Sequence, residues 1–167
     1  MPHVGSWRDK FFKEREGKYQ VEVKEAKLQE KAKNQMKEMI ESCKMKIEIN
    51  CEKQNGHMLG HHLYNENKKR AILNNKKLPS YTILSIDLLN ELLREKMSTG
   101  NLILSDELFD MKEIINFNQI IGKVHIDNVY IETRKGKVHI DNVYIETRKG
   151  KVHYSKTGAH IVPYIDK

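Results

Sequence analysis

Cysteine is scarce, with only Cys43 and Cys51 in 167 residues, which excludes a disulfide framework. No apolar run approaches the ~20 residues that a membrane-spanning helix needs. The first nineteen residues hold Arg8, Asp9, Lys10, Lys13, Glu14 and Arg15 instead of the apolar stretch of a signal peptide. Export, if it occurs, is therefore expected to use another device. Hydrophobic residues make up only 38% of the chain, a lean core for one compact domain with an appendage. Charge is plentiful: 32% of residues carry it, the net charge is +7 and the pI is near 9.3. An excess of Lys and Arg attracts polyanions at long range, which points to nucleic acid. Solubility alone would need no partner.

Residues 1–17 show no clear period, although Trp7, Phe11 and Phe12 could dock on a neighbouring surface. Residues 18–46 are rich in Ala, Lys, Glu, Gln and Met and read as a helix. Its apolar positions (Leu28, Ala32, Met36, Met39, Ile40 and Cys43) recur in steps of three and four. Gln29, Lys33 and Lys37 form a polar face. The thin stripe suits a protruding helix, either seated on a partner helix or solvated as a linker. Residues 1–50 thus read as a basic helical extension and residues 51–167 as the folded domain. A short helix is expected at 65–74, closed off by Pro79. Ser85 can cap a helix over 85–98, with Asp87 near its start and Ile86, Leu89, Leu92, Leu93 and Met97 on one face.

The tail is β-rich and holds a perfect repeat. Residues 122–135 read GKVHIDNVYIETRK, residues 136–149 read the same, and residues 150–153 begin a third copy. Identity at every position implies an in-frame duplication of coding sequence, natural or engineered. A two-residue turn at Asp127–Asn128 would make each unit a hairpin, with Val124, Ile126, Val129 and Ile131 on one face. A further turn at Lys135–Gly136 would join the copies into an antiparallel meander. The unit has even length, so its insertion preserves the inside–outside alternation. It also leaves the register open, because either copy could fill the original place.

The closing segment, Lys151 to Tyr164, reads as a last hairpin. A two-residue loop at Thr157–Gly158 sets Ser155 opposite His160, and a four-residue loop over 155–158 sets His153 opposite His160. Both put Val152, Tyr154 and Ile161 toward the core and Lys151, His153, Ser155 and His160 on the other face. A three-residue loop would separate them. Two histidines on one face can serve RNA cleavage. One takes the proton of the attacking 2′-hydroxyl and the other protonates the leaving oxygen. Lys156, near the tip, could stabilise charge on the phosphoryl oxygens, and Ser155 or Thr157 could hydrogen-bond one. His125 and His139 come with the duplicated unit and read as passengers.

HYSKTGAHIVP at 153–163 resembles the closing motif of the bacterial polymorphic toxin type 50 domain, and KQNGHMLGHHLYNE at 53–66 resembles its opening motif. LPSYTI, an amphipathic helix and STG, together 78–100, also fit. The resemblance covers about 51–167, interrupted by the repeat, and implies a ribonuclease toxin of bacterial conflict systems or phage head-associated proteins. The implied fold is α+β, of the barnase, EndoU, colicin and RelE group, with N-terminal helices before an antiparallel sheet. Carried over by motif, His57, His153, Lys156 and His160 become the catalytic candidates. Ser155, Thr157 and Tyr64 become the substrate-binding ones, joined by Lys151 from the shared sheet face, with no metal and no cofactor. The implied partners are RNA and an immunity protein. The implied locations are the bacterial cytoplasm, a phage particle or, after delivery, the target cell's cytoplasm. The extra hairpin departs from the family pattern and would abolish activity if it displaced 150–163.

Two other readings compete. Cys43, Cys51, His57 and His61 offer zinc ligands, but gaps of seven and five residues do not match a zinc finger. A non-catalytic nucleic-acid-binding or phage-particle protein would explain the charge without needing two histidines and a lysine on one face.

Overall fold

The structure, a computed structural model, describes residues 7–104, 111–126, 129–140 and 143–166. Its first helix, α1 (Trp7–Glu41), starts earlier than the apolar period suggests and ends sooner, with Cys43 in the left-handed region (φ 59°) just beyond it. Strong helix formers carry it through Gly17. Its first half leaves Trp7, Phe11, Phe12 and Tyr19 exposed. Its second half does not protrude. Ala32, Met36 and Met39, one helical stripe, belong to the same core as the sheet. Residues on both sides of position 50 thus contribute to one core.

The main sheet runs in the order β2 (Asn101–Leu104), β3 (Met111–Asn116), β8 (Lys149–Ser155) and β9 (Gly158–Tyr164), antiparallel throughout. Alternation puts Met111, Ile115, Val152, Tyr154, Ala159 and Ile161 on its buried face. The helix α4 (Ile86–Lys96) adds Leu89, Leu92 and Leu93 to that core, and the Ser85 side chain caps it by accepting the Leu88 N–H. Glu113 is fully buried yet satisfied. It accepts the Ser98 and Gly100 N–H groups at 3.0 and 2.8 Å and the Tyr154 hydroxyl at 2.6 Å.

Both edges of this sheet are closed by a glutamine acting as a peptide mimic. On β2, Gln29 of α1 donates to the Leu102 carbonyl at 3.0 Å and accepts its N–H at 2.8 Å. On β9, Gln54 of α2 (Cys51–Asn55) donates to the Ile161 carbonyl at 3.0 Å and accepts its N–H at 2.7 Å. The backbone of 48–50 continues this second seal. Ala159 donates to Glu48 and Asn50 donates to Ala159, each at 2.7 Å. Gln29, expected on a solvated polar face, is thus turned inward by the sheet edge.

The repeat folds otherwise than as a four-stranded meander. The first half of copy one, β4 (Gly122–Ile126), pairs with the second half of copy two, β7 (Val143–Thr147), as in Val124↔Ile145 and Ile126↔Val143. The inner halves, β5 (Val129–Thr133) and β6 (Gly136–Ile140), pair with each other, as in Val129↔Ile140 and Thr133↔Gly136. The expected pairing of Ile126 with Val129 is therefore replaced. Each residue still meets the partner type it would have met within its own unit, but from the other copy. The Asp127–Asn128 turn and its repeat at 141–142 fall outside the described residues. The turn joining the copies is at Arg134–Lys135, with Gly136 (φ 115°) taking the left-handed conformation after it, rather than at Lys135–Gly136. The ribbon's described side chains at 132–138 are all exposed. β4 also pairs with β1 (Tyr81–Thr82), so β1, β4 and β7 form a second sheet. The closing hairpin, β8–β9, is intact, and among the described residues it makes no strand pair with the β5–β6 ribbon.

Candidate active site

The register of β8 and β9 sets His153 directly opposite His160 and Ser155 opposite Gly158. This is the pairing of the four-residue-loop reading, with the turn tightened to Lys156–Thr157. Gly158 allows the tight turn. Its φ is 127°, and a Cβ there would lie 2.6 Å from the Glu48 carbonyl. Lys112 on β3 is in turn the partner of His153. Lys112, His153 and His160 therefore form one rung across the outer face of the main sheet.

His57 completes the rung from outside the sheet. Gln54, anchored on Ile161, holds the end of α2 beside β9, and the chain then brings His57 over His160. The His57 and His160 ring centroids lie 6.0 Å apart, and those of His160 and His153 lie 4.6 Å apart, with interplanar angles of 10° and 11°. Three imidazoles thus stack nearly in parallel.

Their electrostatics differ. The Ser80 carbonyl lies 3.1 Å from His57 Nδ1, so that nitrogen carries the proton and Nε2 keeps its lone pair. Burial lowers the His57 pKa below its ordinary value of 6.5, against the opposing pull of the Ser80 hydrogen bond. His160 falls further, to about 4, first through burial and then through His153, His57 and Lys53. It is neutral at physiological pH.

A cleft of about 790 Å³ opens beside this stack, between the outer face of the main sheet and the β1–β4–β7 sheet. His57 and His153 line it, together with Lys77, Lys112 and Lys151. His160 lies between the two cleft-lining rings and does not itself line the cleft.

The remaining sequence candidates divide. Lys151 is in the cleft, its ammonium 4.8 Å from the centre of the Tyr164 ring. Lys156 sits exposed in the hairpin turn and outside the cleft lining, because the tight register gives it a turn position rather than a face position. Ser155 and Thr157 are engaged in building the tip. Ser155 donates to the Gly158 carbonyl at 2.7 Å and accepts from Lys53 at 3.3 Å, and Asn50 donates to the Thr157 carbonyl and hydroxyl oxygens. Tyr64 is not at the cleft. It is 2% exposed on α3 (His62–Leu73), its hydroxyl lies 3.3 Å from that of Tyr144 and its ring packs edge-on to Tyr81. His61 is the N-cap of α3, its ring accepting the Leu63 N–H.

Lys77 and Lys112 went unrecognised in the sequence, as did Gln54. Only the β3–β8 register could have signalled Lys112. Cys43 and Cys51 are both exposed, and among the described residues no group of three or more His, Cys, Asp or Glu is placed to hold a metal ion. No described helix is long and apolar enough to cross a membrane.

A family model described as bacterial toxin 50 matches residues 49–142 and 140–163. No curated protein and no solved structure matches the chain. The two matched stretches cover both sequence motifs and every residue of the histidine stack.

Proposed function

The chain belongs to the bacterial toxin 50 family, and from that premise we propose that it is a ribonuclease cleaving RNA by internal attack of a 2′-hydroxyl. The observation that carries the reading is the pairing of two cleft-lining histidines, His57 and His153, with lysines on the same wall. His57 Nε2 takes the proton of the 2′-hydroxyl as that oxygen bonds to phosphorus. The bond from phosphorus to the 5′-oxygen breaks, and His153, entering as the imidazolium, gives that oxygen its proton. The products are a 2′,3′-cyclic phosphate and a 5′-hydroxyl, and the two imidazoles return to their starting forms by exchange with water. Acid–base assistance of this kind is worth roughly 10²–10⁴-fold per group.

Lys151 and Lys112 take the charge-stabilising role expected of Lys156 at the hairpin tip, since they flank His153 along and across the sheet. His160 acts as a positioning residue: a neutral ring wedged between the acid and the base, keeping them apart and parallel. Protein groups fill every role in this scheme, so EDTA should leave activity unchanged.

The test is a pair of short RNAs differing by one 2′-deoxy substitution at the cleaved position. Cleavage of the first and survival of the second support the reading. Cleavage of both would mean that the 2′-hydroxyl is not the nucleophile. RNA binding without cleavage would favour the non-catalytic reading.

A further inference from the structure

The proposed chemistry uses the histidines and lysines of the cleft and leaves its floor unexplained. That floor is apolar: Val124 and Ile126 come from β4 on one side, and Val162 and Pro163 from β9 on the other. A phosphate and its lysines need none of this surface. Resting on the ribonuclease reading, we propose that the floor holds the unpaired nucleobase of the nucleotide that supplies the 2′-hydroxyl, with Tyr164 as its stacking platform.

Three observations converge on a base rather than an apolar protein side chain. The floor adjoins a rim of Lys77, Lys112 and Lys151, so the occupant should be apolar and flat at one end and anionic at the other, as a nucleotide is. The one carboxylate in the lining, Asp166, is hydrogen-bonded to Lys149 and does not oppose an anion with a free charge. Tyr164 lies on the site face of β9, and its ring already holds the Lys151 ammonium at 4.8 Å. A bound nucleotide offers both members of that pair a stronger partner, the phosphate for Lys151 and the base for the ring. A cleft walled by two sheets also admits a base only when it is splayed out of a helix, which makes single-stranded RNA the substrate class.

The experiment measures binding, so that it stands apart from catalysis. Dinucleotides carrying a 2′-deoxy 5′-residue cannot be cleaved by the proposed route. Their affinity is compared with that of an abasic counterpart of equal charge, for the unaltered protein and for Tyr164→Leu. Loss of the base should weaken binding by roughly tenfold, within the usual range for stacking on an aromatic side chain. Tyr164→Leu should weaken the base-bearing ligand similarly and leave the abasic one unchanged. Equal affinity for both ligands in the unaltered protein would overturn the proposal whatever the variant does. So would failure to bind either, which would leave the floor to a protein partner. Base-dependent binding in a protein that cuts no RNA would sustain this proposal while removing the ribonuclease reading.

Discussion

His153 and His160 are partners on neighbouring strands, and their rings stack 4.6 Å apart. Two imidazoles held so closely cannot both carry a proton cheaply, and His160, whose pKa burial already lowers, is the one that yields. Its pKa of about 4 against an ordinary 6.5 means that the unfolded chain binds more protons between those values. Stability should therefore fall as pH drops from about 6.5 to about 4. Denaturant titrations at pH 7 and pH 4.5 should show a smaller difference in His160→Gln than in the unaltered protein. An equal acid loss in both would mean that other groups govern it.

The same stack predicts how His160 acts. In His160→Phe the ring persists and the wedge is kept, so much of kcat should survive. In His160→Ala the two outer rings lose their spacer, and kcat should drop further with little change in KM. Equal and complete inactivation by both substitutions would instead make His160 a proton carrier.

His57 titrates below 6.5, so it is ready as a base throughout the neutral range. The acid limb of the kcat/KM profile should lie below pH 6.5, and His57→Ala should cost about 10²–10⁴-fold. An acid limb above pH 7 would point to a different base.

The lysines are separable. Lys151→Ala should lower kcat/KM by about 10²-fold, in the range seen when one transition-state donor is removed. Lys156→Ala, in the exposed turn, should change it little. The reverse order would return the phosphoryl role to the tip of the hairpin.

The two edge glutamines make a matched pair. Gln54→Ala and Gln29→Ala each strip two hydrogen bonds from a strand edge and should each destabilise by about 2 kcal/mol. Gln54→Ala alone should also lower kcat, because α2 carries the chain into His57. A kcat loss in Gln29→Ala equal to that in Gln54→Ala would show that the site responds to global stability only.

The second copy of the repeat should be dispensable. Removing residues 136–149 leaves one unit, in which Asp127–Asn128 can turn β4 directly onto the Val129–Thr133 segment with every residue-type pairing of β4 and β7 retained. Cleavage and the melting temperature should both survive the deletion. Loss of either would mean that the projecting ribbon supports the site.

Much of the closing hairpin was legible, because period-two alternation fixes which residues share a face even when the loop is uncertain. Lys151, His153, Ser155 and His160 share the outer face as expected. The Ser85 cap and the Leu89–Leu92–Leu93 face were legible for the same reason, each being a local rule. The pairing of the repeat was not. Both arrangements join identical residue types, so composition and alternation cannot choose between them. Gln29 and Gln54 were hidden because a glutamine that closes a sheet edge looks like any solvated glutamine on a helix. Tyr64 rested on its place in the opening motif alone, which says nothing of burial, and its hydroxyl lies beside that of Tyr144 inside the fold.

The most direct measurement is single-turnover cleavage of single-stranded RNA by the purified protein, His57→Ala and His153→Ala, with EDTA present and the new ends identified. The account predicts 2′,3′-cyclic phosphate ends from the unaltered protein and a loss of about 10²-fold or more in each variant. Undiminished cleavage in both variants, or ends bearing a 5′-phosphate, would contradict it.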